Sequence, residues 1–280
     1  MEYKIVTDSS ANIFSLEGTI LASVPLKIVT AETEYVDGPA LDVDGMIGEL
    51  QRYKGKSGSS CPNVSEWLDA FSGADTLFVF TITRNLSGSY SSAMQAAETY
   101  KKKHPDARIY VADTLSVGPE VLLHMEALRA GAAAGKSFDE LCAMLDAYRK
   151  RTHLLFALKS LTNLARNGRV SPVVAKMAGI LGIRLVGKAS DEGTLEPLHK
   201  CRGEEKALET MVAEMVQAGY DGGAVRIAPC QADATAAALK ALLRARWPKA
   251  NIRIAPCTAL CSFYAESGGI LVGYEDGLSC

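Results

Sequence analysis

Two hydrophobic rhythms alternate along this chain, and their alternation predicts a fold class. Short apolar runs of strand length occupy residues 3–7, 77–81 and 108–112, each followed by a polar turn. Between them the apolar residues recur at helical spacing, as over 43–53, where Met46, Ile47, Leu50 and Tyr53 share one face. A further helix is expected over Val64–Phe71, with Asn63 as N-cap and Glu66 three residues on completing a capping box. Helices are also expected over 90–103, 120–134 and 138–152. Residues 22–29 read as one more strand, and Pro25 within it argues for an edge or a strand start. Strands separated by helices predict a mostly parallel sheet covered by helices.

From residue 154 the order of elements changes. A strand over 154–158 leads to the turn-rich Asn167-Gly168-Arg169 and a helical segment over 171–181. Residues 184–188 and 194–200 flank Asp191-Glu192-Gly193 and predict a β-hairpin. Helices over 204–217 and 232–246 then alternate with strands over 224–228 and 251–255, and 270–274 supplies a last strand. The 280 residues suit two α/β domains, here placed at 1–154 and 155–280.

Charge excludes one large class of partner. The net charge of -2 and the absence of any basic block beyond Lys101-Lys102-Lys103 give no footprint for nucleic acid. That triplet reads as the solvated C-terminal end of a helix. No apolar stretch has the length of a membrane span, and residues 1–7 lack the apolar region of a signal peptide, so a cytoplasmic protein is expected. Seven cysteines scattered singly read as reduced thiols. Cys257 and Cys261 are spaced C-x3-C, but no histidine or second pair accompanies them, so no metal site is expected.

The motifs of chemistry are weak. Gly131-Ala132-Ala133-Ala134-Gly135-Lys136-Ser137 imitates a phosphate loop, but it is one residue short and follows a helix where a strand is required. Gly135 reads better as the C-cap of one helix and Ser137 as the N-cap of the next. No nucleophile elbow, zinc-protease or dinucleotide fingerprint is present. A hydrolase would have to draw its base from His104, His124, His153 or His199, none of which lies in a recognisable catalytic setting.

Two hydroxyl-rich loops stand out instead: Ser59-Ser60-Cys61-Pro62-Asn63 and Asn85-Leu86-Ser87-Gly88-Ser89-Tyr90, each just ahead of a helix. Hydroxyls beside helix N-termini, with no histidine or lysine among them, suit holding an anion more than attacking one. The turns Thr7-Asp8-Ser9-Ser10 and Asp113-Thr114 either cap their own loops or help floor the same crevice. Gly168-Arg169 and Arg202-Gly203 place an arginine beside a glycine in a loop, a residue suited to phosphate or carboxylate.

At these residues the chain resembles the DegV family of bacterial lipid-binding proteins, which includes the fatty-acid-binding subunits of fatty acid kinase. The resemblance covers essentially the whole length, through Thr7-Asp8-Ser9-Ser10, Ser59-Ser60-Cys61-Pro62, Leu86-Ser87-Gly88-Ser89-Tyr90, Asp113-Thr114, Gly168-Arg169, Leu195-Glu196-Pro197-Leu198 and Arg202-Gly203. It implies two α/β domains with a lipid tunnel between them, the C-terminal one closing over the acyl chain. It implies a long-chain fatty acid as ligand, no cofactor, no catalytic residue, and presentation of the fatty acid to a separate ATP-dependent kinase subunit, with the acyl phosphate carried onward. The positions implied for the carboxylate are Ser59, Ser60, Ser87 and the backbone of Gly88, with Arg169 and Arg202 as partner or phosphate contacts.

The chain departs from the family pattern at Cys61, at Asn63, and near the C-terminus, where a T-H-x-G-P-G segment is common in the family. Here Cys261-Ser262-Phe263-Tyr264-Ala265-Glu266-Ser267-Gly268-Gly269 has no histidine. Either Tyr264 replaces it as a hydroxyl donor, or Glu266 disfavours a nearby anion. Candidates for the tunnel wall are Ile28, Ile180, Leu181, Ile183 and Leu260, against the plainer expectation that such residues are ordinary core. Two other functions fit the sequence: a fatty-acid sensor or store without a kinase, and an enzyme of a small anionic metabolite.

Overall fold

Along β6 (Thr76–Thr81) successive side chains enter two different cores. Phe78 and Phe80 pack with Val121, Met125 and Phe138, while Leu77 and Val79 pack with Trp67, Phe71 and Ala93. A strand buried on both faces reads as an unbroken apolar run, which is what residues 77–80 are. The computed structural model describes residues 2–171, 174 and 182–277.

Around β6 a four-stranded parallel sheet forms in the order β2 (Ile20–Val24), β1 (Lys4–Asp8), β6, β7 (Arg108–Asp113). Helices α2 (Val64–Phe71) and α3 (Ser89–Lys103) supply the core on one face. On the other face lie α4 (Pro119–Ala133) and α5 (Phe138–Tyr148). The expected parallel sheet covered by helices is therefore present. Asn63 caps α2 in the anticipated reciprocal box, its side chain accepting from Glu66 N at 3.0 Å while its own N–H reaches Glu66 Oε2 at 2.7 Å.

Three expectations need correction. Residues 22–29 are two strands in two sheets, β2 and β3 (Lys27–Val29), rather than one. Pro25 has no N–H to continue a ladder, and the Leu26 N–H is taken by Ser9 Oγ at 3.0 Å. Ser59 and Ser60 lie on β5 (Gly58–Ser60) instead of a loop; with β3 and β4 (Glu34–Val36) it makes a small antiparallel sheet in which Ser59 faces Ile28. The helix expected over 138–152 stops at Tyr148, because Thr152 already belongs to strand β8 (Thr152–Leu158), its hydroxyl engaged by Glu120 and His124. Two short helices carry no sequence signal, α6 (Thr162–Arg166) and, after α7 (Glu204–Gln217) and α8 (Asp233–Arg246), α9 (Ala259–Ala265).

The second large sheet has six strands in the order β10 (Leu195–Arg202), β9 (Ile183–Ala189), β8, β13 (Gly269–Glu275), β11 (Ala224–Cys230), β12 (Asn251–Ile254). All its pairs are antiparallel except β11 with β12. Alternation along β8 divides the layers: Leu155 and Ala157 join α7 and α8, while Leu154, Phe156 and Leu158 face a core shared with α9, α1 (Val43–Arg52) and the small sheet. The helical segment expected over 171–181 falls largely outside the described residues. No helix among the described residues is long and apolar enough to cross a membrane.

Candidate ligand-binding site

Two buried carboxylates set the framework. Asp8, at the end of β1, accepts from Ile82 N at 3.0 Å, from Ser89 Oγ at 2.6 Å and from the N–H and hydroxyl of Ser10. It thereby ties the end of β6 and the first residue of α3 to the parallel sheet, which holds the Ser87–Gly88 turn in place. Asp37 does the same for α9, accepting from Ala259 N at 2.9 Å, Leu260 N at 3.0 Å and Thr258 Oγ1 at 3.1 Å. Burial pushes both carboxyls above their ordinary range, and the hydrogen bonds pull the other way. Helix α9 is apolar nearly all round because it sits inside the core; its last turn brings Tyr264 to the small sheet.

The result is a slot with about 630 Å³ of empty space, its mouth included. Its wall is apolar for most of its extent, with Leu26, Ile82 and Leu86 on one side and Phe156, Leu158 and Leu271 on the other. Only four lining side chains among the described residues are polar: Ser59, Ser87, Arg169 and Tyr264. Ser59 Oγ and Tyr264 Oη are 2.7 Å apart. Ser87 Oγ accepts from Ser89 N at 3.2 Å, which leaves its own proton to donate. Arg169 donates from Nε to Leu86 O at 3.2 Å and from Nη1 to Asn167 O, and it is the cation of the lining. Gly88, the N-cap residue of α3, has no side chain to cap the helix, and the N–H of Ser89, its first residue, is taken by Ser87 Oγ.

The other residues that stand out in the sequence fall elsewhere. Ser60 and Gly88 are exposed and outside the lining; a Cβ on Gly88 would lie 3.1 Å from Cys61 Sγ. Arg202 is exposed at the end of β10 and does not reach the slot. Leu260 lines the slot, Ile28 packs in the core behind it, and Ile183 is in neither place. Ile180 and Leu181 lie outside the described residues. The Asp8 and Asp113 carboxylates do not floor the slot: each bonds within its own turn and also to the segment after β6, Asp8 to Ile82 N and Asp113 to Arg84, and neither lines the cavity. Glu266 points away, accepting from Asn163 N at 3.0 Å. Of the two alternatives for the segment without histidine, the tyrosine is the one at the slot. Among the described residues no group of three or more histidine, cysteine, aspartate or glutamate side chains could hold a metal.

Val117, Leu154 and Leu195 join the lining without having stood out in the sequence. Leu154 belongs to the unbroken apolar run 154–158, in which nothing marks the face each residue takes, and Val117 sits in a loop and carries no periodic signal.

Comparison with known proteins gives a consistent result. A family model described as "Uncharacterised protein, DegV family" matches residues 2–275. A DegV domain-containing protein of Streptococcus pneumoniae is 42% identical over 279 residues, covering 98% of this chain and 99% of that protein. Among solved structures, the Streptococcus pneumoniae Fatty Acid Kinase B3 protein loaded with linoleic acid superposes with a TM-score of 0.96 at 42% identity, covering 98% of this chain and 99% of the other. A DegV family protein from Eubacterium eligens loaded with heptadecanoic acid gives a TM-score of 0.96 at 40% identity with the same coverage.

Proposed function

This chain belongs to the DegV family, and on that premise we propose that it is a non-catalytic carrier binding one long-chain fatty acid in the slot. The acyl chain lies along the apolar wall, and the carboxylate rests at the mouth between Ser59, Ser87, Tyr264 and Arg169. The observation that carries this is the segregation of the lining, with four polar side chains set against an otherwise apolar wall. Burying an alkyl chain yields about 0.8 kcal/mol per methylene, whereas a buried carboxylate without partners would cost several times that. Hydroxyls and a guanidinium meet the second demand without offering a nucleophile–base pair. A small anionic metabolite would leave the long apolar wall unfilled. The slot draws its wall from both sides of residue 154, as expected of a ligand held between two α/β domains over 1–154 and 155–280.

The carrier role, in which the bound fatty acid is handed to a separate ATP-dependent kinase subunit and the acyl phosphate carried onward, is supported by the name of the pneumococcal neighbour. Arg169 would then face the carboxylate and, after transfer, the phosphate; exposed Arg202 remains a candidate contact for the partner. A sensor or store is favoured by one observation, the missing histidine in Cys261–Gly269. Adding ATP to the fatty-acid-loaded protein, alone and with a fatty acid kinase catalytic subunit, separates these readings. Acyl phosphate formed only with the kinase supports the carrier. None formed with it leaves the sensor or store, and turnover by the protein alone contradicts both.

A further inference from the structure

Inward-facing residues of β8 follow one another as Leu158, Phe156, Leu154 and Thr152, and the first three line the slot. Tyr264 and Ala265 lie at the Leu158 end: Leu158 Cδ2 and Ala265 O are the neighbours a Cβ on Gly269 would meet, at 3.0 and 2.4 Å. The mouth is therefore at Leu158, and the opposite end is at Leu154.

Three features meet at that far end. On the neighbouring strand Gly273 is paired with Leu154, and it has no side chain to continue the wall. The first turn of α4 occupies the vacated space, so close that a Cβ on Gly273 would lie 2.5 Å from Glu120 N and 2.6 Å from Pro119 C. The next inward residue, Thr152, donates to Glu120 Oε1 at 2.8 Å and lies 2.8 Å from His124 Nε2, while Ser116 Oγ holds the other oxygen of Glu120. All four of these polar side chains are buried. A separate polar pocket, lined by Thr114, Glu120, Arg149, Thr152 and His153, also has Leu154 in its wall. One side chain thus belongs to both cavities.

We propose that Leu154, backed by the first turn of α4 across Gly273, sets the longest acyl chain this protein accepts. The inference rests on the fatty-acid reading of the slot. A longer chain would have to push its terminal methyl past Leu154 onto the Thr152–Glu120–His124 cluster. Parting those groups would leave buried donors and acceptors unpaired, a cost no methyl contact offsets. Leu154 is the last apolar layer before that cluster, so its volume bears directly on the chain length accepted.

The test is a competition series of saturated acids from lauric to behenic on delipidated wild type, Leu154→Val and Leu154→Phe. Valine suits a strand and keeps the fold while shortening the partition; phenylalanine moves it toward the mouth. With odd- and even-numbered acids in the series, the preferred length should rise by about one methylene in Leu154→Val and fall by about one in Leu154→Phe. That step changes the relative affinity of homologues differing by one methylene about fourfold, the value of one buried methylene. A length profile identical in all three proteins overturns the inference while leaving fatty-acid binding intact. Failure of wild type to bind any acid of the series overturns the fatty-acid reading itself.

Discussion

Ser59 Oγ and Tyr264 Oη, 205 residues apart in sequence, meet at 2.7 Å at the mouth of a slot that is otherwise almost entirely apolar. One comes from a three-residue strand and the other from the last turn of a buried helix. Their contact joins the small sheet to α9 and places two hydroxyls at the mouth, one of which can donate to a carboxylate. Either oxygen can donate to the other, so one proton remains for a ligand.

Removal of a hydroxyl should weaken the ligand without unfolding the protein. Ser87→Ala and Tyr264→Phe are each expected to lower fatty-acid affinity about tenfold, the worth of a hydrogen bond to a charged group. Both residues are only half-buried, so melting temperatures should stay close to wild type. Equilibrium binding of a fluorescent fatty acid, alongside thermal melts, checks both halves of this expectation.

Arg169 should confer preference for the acid over its uncharged ester. A guanidinium in an apolar slot favours a carboxylate, which a methyl ester cannot present. In Arg169→Gln the affinity ratio of free acid to methyl ester should shrink, mainly through loss of acid binding. Parallel titrations with palmitic acid and methyl palmitate read that ratio. Equal losses for both ligands would place Arg169 in a purely structural role, holding Leu86 O.

Asp37 links stability to the site. Asp37→Ala leaves the N–H groups of Ala259 and Leu260 without their acceptor inside the core. The loss should be about 3 kcal/mol of stability, and fatty-acid affinity should fall with it, because α9 carries Tyr264. Chemical denaturation and ligand binding on the same variant measure the two effects. Asp37→Asn, which keeps one acceptor, should recover part of each.

Burial of Glu120 predicts a pH dependence with a definite sign. Desolvation pushes its carboxyl from 4.5 up to about 7, against the pull of Ser116 and Thr152. Between those values the unfolded chain has ionised and the folded one has not, so stability falls by roughly 3 kcal/mol as pH rises from 4.5 to about 7. Its neighbour His124 works in reverse. Burial lowers it from 6.5 to about 3, so its contribution is present above 6.5 and is lost as pH falls. Glu120→Gln removes only the first effect. Relative to wild type, its melting temperature should therefore improve steadily from about pH 5 to about pH 8. A constant difference across that range would mean that Glu120 does not titrate there.

Much of this fold is legible in the residues themselves. The run 77–80, the capping box of Asn63 with Glu66 and the turn Asp191-Glu192-Gly193 carry local signals that tertiary packing did not override. Ser59, Ser87, Arg169 and Tyr264 all stand out in the sequence, through their loops or through the family pattern, and all four converge on one cavity. What escapes a reading of the sequence is set by long-range packing. The three-residue strands β4 and β5 have too few positions to show a period. Helix α9 is only seven residues long and apolar nearly all round, so it has no amphipathic stripe to detect. Leu26 lines the slot while Ile28, two residues on, packs in the core behind it, and nothing in their chemistry distinguishes them. Asp8 and Asp37 look like loop carboxylates in sequence, and only burial reveals them as the anchors of α3 and α9.

Mass spectrometry of the purified protein, first native and then denatured with lipid extraction, tests the central claim most directly. The account predicts one long-chain fatty acid per chain, retained in the native spectrum and released only on denaturation. A protein that carries no lipid, and that after delipidation takes up neither linoleic nor heptadecanoic acid, would contradict it.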